Sequence, residues 1–248
     1  AAGEVVKSAP DGYTLFMTSG SVVTANQHMF RKLNWNPEKD LVAITNVASG
    51  PQIVAVHPSV PARNIKDLIA LAKAQPGAIT FGSAAIDTQT NLPAENFVFT
   101  AGISATHVPY KGEAPAMVDL VAGQIVFVTP NLSAAIGYVQ QGRLRGLGVT
   151  SRKRAPQLPD VPAVAETLPG FENAGWFGLM APTGTPAAVI DKVYRDTAKA
   201  LEAADLRKRL TDIGMAPVGN PPADFAKAIR EESARWSKII KARKLEIN

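Results

Sequence analysis

The chain contains no cysteine. Disulfides, thiolate catalysis and zinc sites built on cysteine are thereby excluded. Histidine is almost as scarce, with His28, His57 and His107 making the full set. No two of them share a metal-ligand spacing, so a multi-histidine metal site would need all three to converge. Long hydrophobic runs are missing as well. The uncharged stretches 12–30, 41–62 and 120–142 are each broken by Gly, Pro, Asn or Gln and are rich in hydroxyls. They read as buried strands followed by polar loops, and no membrane span or signal peptide is visible.

What is present is a globular composition: 248 residues, 46% hydrophobic and 19% charged, which is one large domain or two small ones. The net charge is +5, and most of the excess lies at one end. Residues 186–248 hold 13 Lys and Arg against 9 Asp and Glu, whereas residues 1–185 are close to balanced. A nucleic-acid binder would show a denser basic patch with interleaved aromatics. The run Arg152-Lys153-Arg154 is short and soon followed by Pro156. Nucleic acid is therefore not expected as a partner.

Strands and helices alternate along the chain. Strands are predicted at 13–17, 41–48, 52–56, 78–81, 105–108, 124–128, 144–150 and 177–181, and helices at 65–75, 91–101, 114–121 and 132–141. Asn64 is placed to cap the first of these helices, and Pro76-Gly77 closes it. The alternation predicts parallel sheets of α/β type. Prolines 156, 159, 162 and 169 make 151–175 an extended connection. Three helices follow, at 186–203, 205–213 and 222–243, the last with Phe225, Ile229, Trp236 and Ile240 on one stripe. Segments 47–51 and 175–178 read as crossings between lobes. Lobe one is then discontinuous (1–50 and 176–248) and lobe two continuous (51–175), a hinged clamp.

Catalytic signatures are absent. There is no G-x-S-x-G elbow, no P-loop, no H-E-x-x-H and no EF-hand spacing. Gly146-Leu147-Gly148 begins like a dinucleotide fingerprint, but Ser151 stands where the third glycine belongs. No metal site and no cofactor are expected. A serine hydrolase would need one histidine beside a strand-end serine. His107 lies in a predicted strand, where a satisfied core or rim histidine is the simpler reading.

The positive feature is hydroxyls at strand ends: Thr18-Ser19-Gly20-Ser21-Val22-Val23-Thr24, Gly82-Ser83-Ala84-Ala85-Ile86-Asp87-Thr88-Gln89-Thr90, and Thr129-Pro130-Asn131. In open α/β sheets ligands sit beyond the carboxyl ends of the strands. Helix N-termini there offer free N–H groups and a positive dipole end, which suit a carboxylate. Ordinary N-capping by Ser83 or Thr88 is the competing explanation.

Several segments resemble, in order, the extracytoplasmic solute receptors of tripartite tricarboxylate transporters, the TctC or Bug-type receptors. They are Ala9-Pro10-Asp11-Gly12-Tyr13-Thr14-Leu15, Val108-Pro109-Tyr110-Lys111-Gly112, Leu158-Pro159-Asp160-Val161-Pro162, Trp176-Phe177-Gly178-Leu179, Gly184-Thr185-Pro186 and Ala216-Pro217-Val218-Gly219. The resemblance implies a two-lobed type II periplasmic binding protein fold with two crossovers. It implies capture of a small organic carboxylate in an interlobe cleft for delivery to membrane permease subunits. It further implies a periplasmic monomer that neither inserts in the membrane nor turns over its ligand. About 50 residues of the family's usual N-terminal part are expected to lie outside the sequence. Ala85-Ile86-Asp87-Thr88 stands where the family has a glycine-rich turn, Asn91 replaces a common histidine, and Pro130 replaces a common acid.

The ligand-contacting residues expected on this reading are Ser19, Ser21 and Thr24 from lobe one and Ser83, Ala84, Asp87 and Thr88 from lobe two. Thr129 and Asn131 would close the lobe-two wall. Tyr110 would lie flat against the ligand or pack near the hinge. Lys111 is expected in solvent. Two rivals stand beside this reading. One is an α/β enzyme acting on a small acid, with Asp87 as base and His107 as its partner. The other is a truncated paralogue that binds a protein.

Overall fold

A computed structural model describes residues 2–85, 88 and 90–246. They divide into two units, one of residues 1–49 and 176–248 and one of residues 50–175. Nine strands are described: β1 (Phe16–Ser19), β2 (Leu41–Pro51), β3 (Ile53–Val56), β4 (Thr80–Ser83), β5 (Thr106–Pro109), β6 (Phe127–Val128), β7 (Arg145–Val149), β8 (Ala174–Pro182) and β9 (Ala216–Pro217). β2 and β8 carry the chain from one unit to the other.

The second unit is built on a sheet of order β5-β4-β6-β3-β7. Strand β3, in the interior of the sheet, is buried on both faces and so reads as an unbroken apolar run. Val54 and Val56 face one core with Phe81, Phe97 and Phe127. Ile53 and Ala55 face the other with Leu120, Val128 and Val149. Phe127 stacks on Phe81 at 5.4 Å and meets Phe97 edge-on at 5.8 Å. Helix Ile65–Ala74 begins where the sequence places it, with the Asn64 side chain accepting from the Asp67 N–H.

The sheet of the second unit is mixed and the described pairs of the first are antiparallel, which corrects the parallel expectation. β4 is parallel to β5 and β6, because helices Asn91–Ala101 and Glu113–Val121 form the crossovers between them. β3 enters from a crossing strand in the opposite sense and is antiparallel to both β6 and β7. The first unit has order β1-β8-β2-β9, with β1 antiparallel to β8 and β2 to β9. Its core joins Phe16, Val23, Leu41, Trp176, Met180, Phe225 and Ile229. Helix Pro222–Arg243 supplies the predicted apolar stripe, and Ser233, 2% exposed, fills the gap between Ile229 and Trp236.

Two further expectations shift. Strand 13–17 starts only at Phe16, because the Tyr13 N–H is drawn back to Asp11 Oδ1 in a turn. The hydroxyl stretch after β1 is no loop: Gly20–Thr24 is a short helix, and Asn26–Met29 another. Val23 holds the first of them by burying completely against the core.

Candidate functional site

In the second unit the parallel strands β4, β5 and β6 end side by side, since Ser83 pairs with Pro109 and Gly82 with Val128. This register gathers Ser83, Ala84, Thr88, Tyr110, Thr129 and Asn131 at the carboxyl edge of one sheet. Asp87 lies outside the described residues. Ser83 is fully buried, and its hydroxyl lies 2.7 Å from His107 Nε2. The register explains the meeting. His107 is opposite Phe81, so Ser83, two residues further, faces the same side. Burial pushes the His107 imidazole below its ordinary range, and its ring stacks on Phe81 at 5.0 Å. Ser83 Oγ and His107 Nε2 share a hydrogen bond whose donor is set by the imidazole tautomer.

A strand-end serine beside a histidine is the geometry a serine nucleophile requires. Among the described residues, no carboxylate contributes to the titration of His107.

The loop beyond Ser83 is braided by its own hydroxyls. The Ala84 N–H donates to Thr90 Oγ1 at 3.1 Å, and Thr88 Oγ1 donates to the Ala85 carbonyl at 2.8 Å. Thr129, fully buried, donates to the Thr90 carbonyl at 2.8 Å. The N–H groups of Asn91 and Leu92, expected to be free at the helix start, both bond to the Thr88 carbonyl. Pro93 has no N–H to offer. The end of this helix is thus capped by Thr88, which takes up the N–H groups of Asn91 and Leu92.

Two partners in this region were not foreseen. Glu113, the first residue of its helix, accepts from the Asn131 backbone N–H at 2.6 Å and from Asn131 Nδ2 at 3.1 Å. Asp119 accepts from the Tyr110 hydroxyl at 2.7 Å, and burial together with that bond pushes the phenol up to about 12. The Tyr110 ring borders Gly82 and packs with the core on that face. Neither pairing has a local sequence signal, because the Tyr110–Asp119 partners are 9 residues apart and the Asn131–Glu113 partners 18. Lys111 is exposed, as expected.

In the first unit, Ser19 ends β1 and precedes helix Gly20–Thr24 without capping it. Its Oγ lies 3.4 Å from that of Ser21, which is 7% exposed. Thr24 is fully buried, donating to the Gly20 carbonyl at 2.8 Å, with Glu232 Oε1 at 3.2 Å. Glu232 also accepts from the indole N–H groups of Trp176 at 2.6 Å and Trp236 at 3.1 Å. Gly20 is required here, since a Cβ would stand 2.7 Å from Trp176 Nε1. A surface hollow of about 440 Å³ in the same unit is lined by Gln27, Arg31, Trp35 and Asp40, among others, and includes none of the expected site residues. Among the described residues no group of His, Asp and Glu is placed to hold a metal ion, and no helix is long and apolar enough to cross a membrane.

Comparison with known proteins gives one consistent family. A profile described as tripartite tricarboxylate transporter family receptor matches residues 1–245. Among solved structures, Rpa4515 of R. palustris with adipate is 33% identical, with a TM-score of 0.85 over 97% of this chain and 81% of that one. MatC of Rhodopseudomonas palustris with bound malate is 27% identical, with a TM-score of 0.82 over 96% of this chain and 83% of its own. The periplasmic binding protein BugD is 27% identical, with a TM-score of 0.83 over 99% of this chain and 83% of its own.

Proposed function

The chain belongs to the receptor family of the tripartite tricarboxylate transporters, and from that premise we propose that it is a periplasmic receptor that captures a small organic carboxylate and delivers it to the membrane subunits of such a transporter. The carrying observation is the match along nearly the whole chain to proteins of the same fold solved with adipate and with malate. The residues support the reading. The carboxyl edge of the second sheet offers hydroxyls and amides without a lysine or arginine in its hydrogen bonds. Recognition by uncharged donors and ordered water predicts only modest salt dependence.

Ser83, Ala84, Asp87, Thr88, Thr129 and Asn131 are the proposed contacts from one unit, with Ser19, Ser21 and Thr24 from the other. Tyr110 serves as an edge of the site, its hydroxyl held by Asp119. The proposed receptor acts as a monomer without turnover.

A thermal-shift assay with adipate, malate and benzoate tests the reading. An acid at 100 times its Kd adds about 2.7 kcal/mol, which raises Tm by about 5–10 °C in a chain of this size. A well-folded protein whose Tm none of the three acids moves would count against carboxylate capture.

A further inference from the structure

Asn91 opens helix Asn91–Ala101 and has no exposed surface. Both ends of its side-chain amide, Oδ1 and Nδ2, are buried without a hydrogen-bond partner. Asn26, Asn46, Gln52 and Asn173 each have one such atom, not two. Gln52 and Asn173 even bond to each other through their other ends. The amide of Asn91 is therefore the least satisfied buried side chain among the described residues.

The surroundings do not supply what it lacks. The Thr88 hydroxyl donates to Ala85, and the Thr90 hydroxyl accepts from Ala84. The N–H groups at the start of the helix are already taken by Thr88. An unpaired buried amide destabilises the fold, and leucine would keep the same branched shape, at a larger volume, without polar atoms. Such a group is expected where a bound molecule completes it. Asn91 directly follows the loop that carries Ser83, Ala84 and Thr88. With the N–H groups of Asn91 and Leu92 occupied, its Nδ2 is an unpaired donor at the place where an oxyanion was expected to meet the helix.

We propose that Asn91 is a solute-recognising residue whose Nδ2 donates to a carboxylate oxygen of the captured acid, directly or through one ordered water. The inference rests on the receptor reading above. Its test is Asn91→Leu in the full chain, measured for Tm alone and for Kd with adipate, malate and benzoate. Recognition predicts a Tm that is unchanged or raised by roughly 2–4 °C, with solute binding weakened about tenfold or more. A purely structural amide, held by a buried water, predicts the reverse: a lowered Tm with unchanged Kd, which overturns the proposal. If leucine overfills the position and lowers Tm for that reason, Asn91→Ser decides. Its Kd weakens about tenfold if the amide recognises solute and stays as in the parent if it does not. Failure of the parent chain to bind any of the three acids would instead overturn the receptor reading itself, and the role of Asn91 with it.

Discussion

After β1 and again after β4 the chain runs into small hydroxyl residues, and the two stretches end in different company. After β1 the hydroxyls are drawn into a helix that packs on Pro222–Arg243. There Thr24 and the indoles of Trp176 and Trp236 converge on Glu232. After β4 they stay in a loop, where they bond to backbone groups and to a histidine one strand away. What packs behind each stretch decides its fate. A long amphipathic helix with a carboxylate converts hydroxyls into core. Parallel strand ends that offer backbone groups and one histidine leave them at the sheet edge, where a ligand can use them.

Glu232→Leu breaks the first half of this contrast and should have the largest effect. Two indole N–H groups and the Thr24 hydroxyl lose a charged acceptor together, at a cost of about 3 kcal/mol. The expected fall in Tm is about 6–12 °C. The His107 ring resonances in the second unit should be unaffected. A Tm within about 1 °C of the parent would mean that Glu232 is not what organises the first stretch.

Thr129→Val probes the second half with a smaller change. It keeps the shape and removes only the bond to the Thr90 carbonyl, which costs about 1 kcal/mol. Tm should fall by about 2–4 °C, and the Tm shift induced by adipate or malate should shrink further, because the braid loses its anchor to β6. A full solute-induced shift in this variant would detach the braid from recognition.

The contrast itself was only half legible in the sequence. Helices 91–101 and 222–243 could be read to their ends because periodicity, proline and capping residues agree there. The helix at Gly20–Thr24 could not. Val22, Val23 and Thr24 are β-branched and argue against a helix locally, and burial of Val23 overrides them. The strand-end location of Ser83 and Thr129 followed from their position after apolar runs. Their partners did not, because His107 reaches Ser83 only through the β4–β5 register. Asn91 carried a signal that was read only as a departure from a family pattern. Its physical meaning depends on the absence of partners, which sequence does not encode.

The smallest expected effect sharpens the comparison, because each region holds one histidine against one serine. His28 Nε2 lies 2.9 Å from the Ser233 hydroxyl, and His107 Nε2 lies 2.7 Å from that of Ser83. Burial lowers both histidines from 6.5. For His28 the attraction of Glu38 and the bond to Ser233 oppose that shift, whereas burial is the sole cause for His107 among the described residues. A histidine kept neutral by the fold binds fewer protons folded than unfolded. Its contribution is fully present above 6.5 and is lost as pH falls below that value, so stability rises with pH across this window. Each group can account for at most one proton of that slope. Melting curves between about pH 7.5 and 5.5 should therefore show a Tm that falls on acidification. His107→Gln should flatten the fall more than His28→Gln does, because among the described residues only His28 has a carboxylate, Glu38, that makes its protonation easier. The opposite order would mean that the Ser83–His107 pair is open enough to water to titrate normally, and the strand end after β4 would then be as solvated as a simple surface loop.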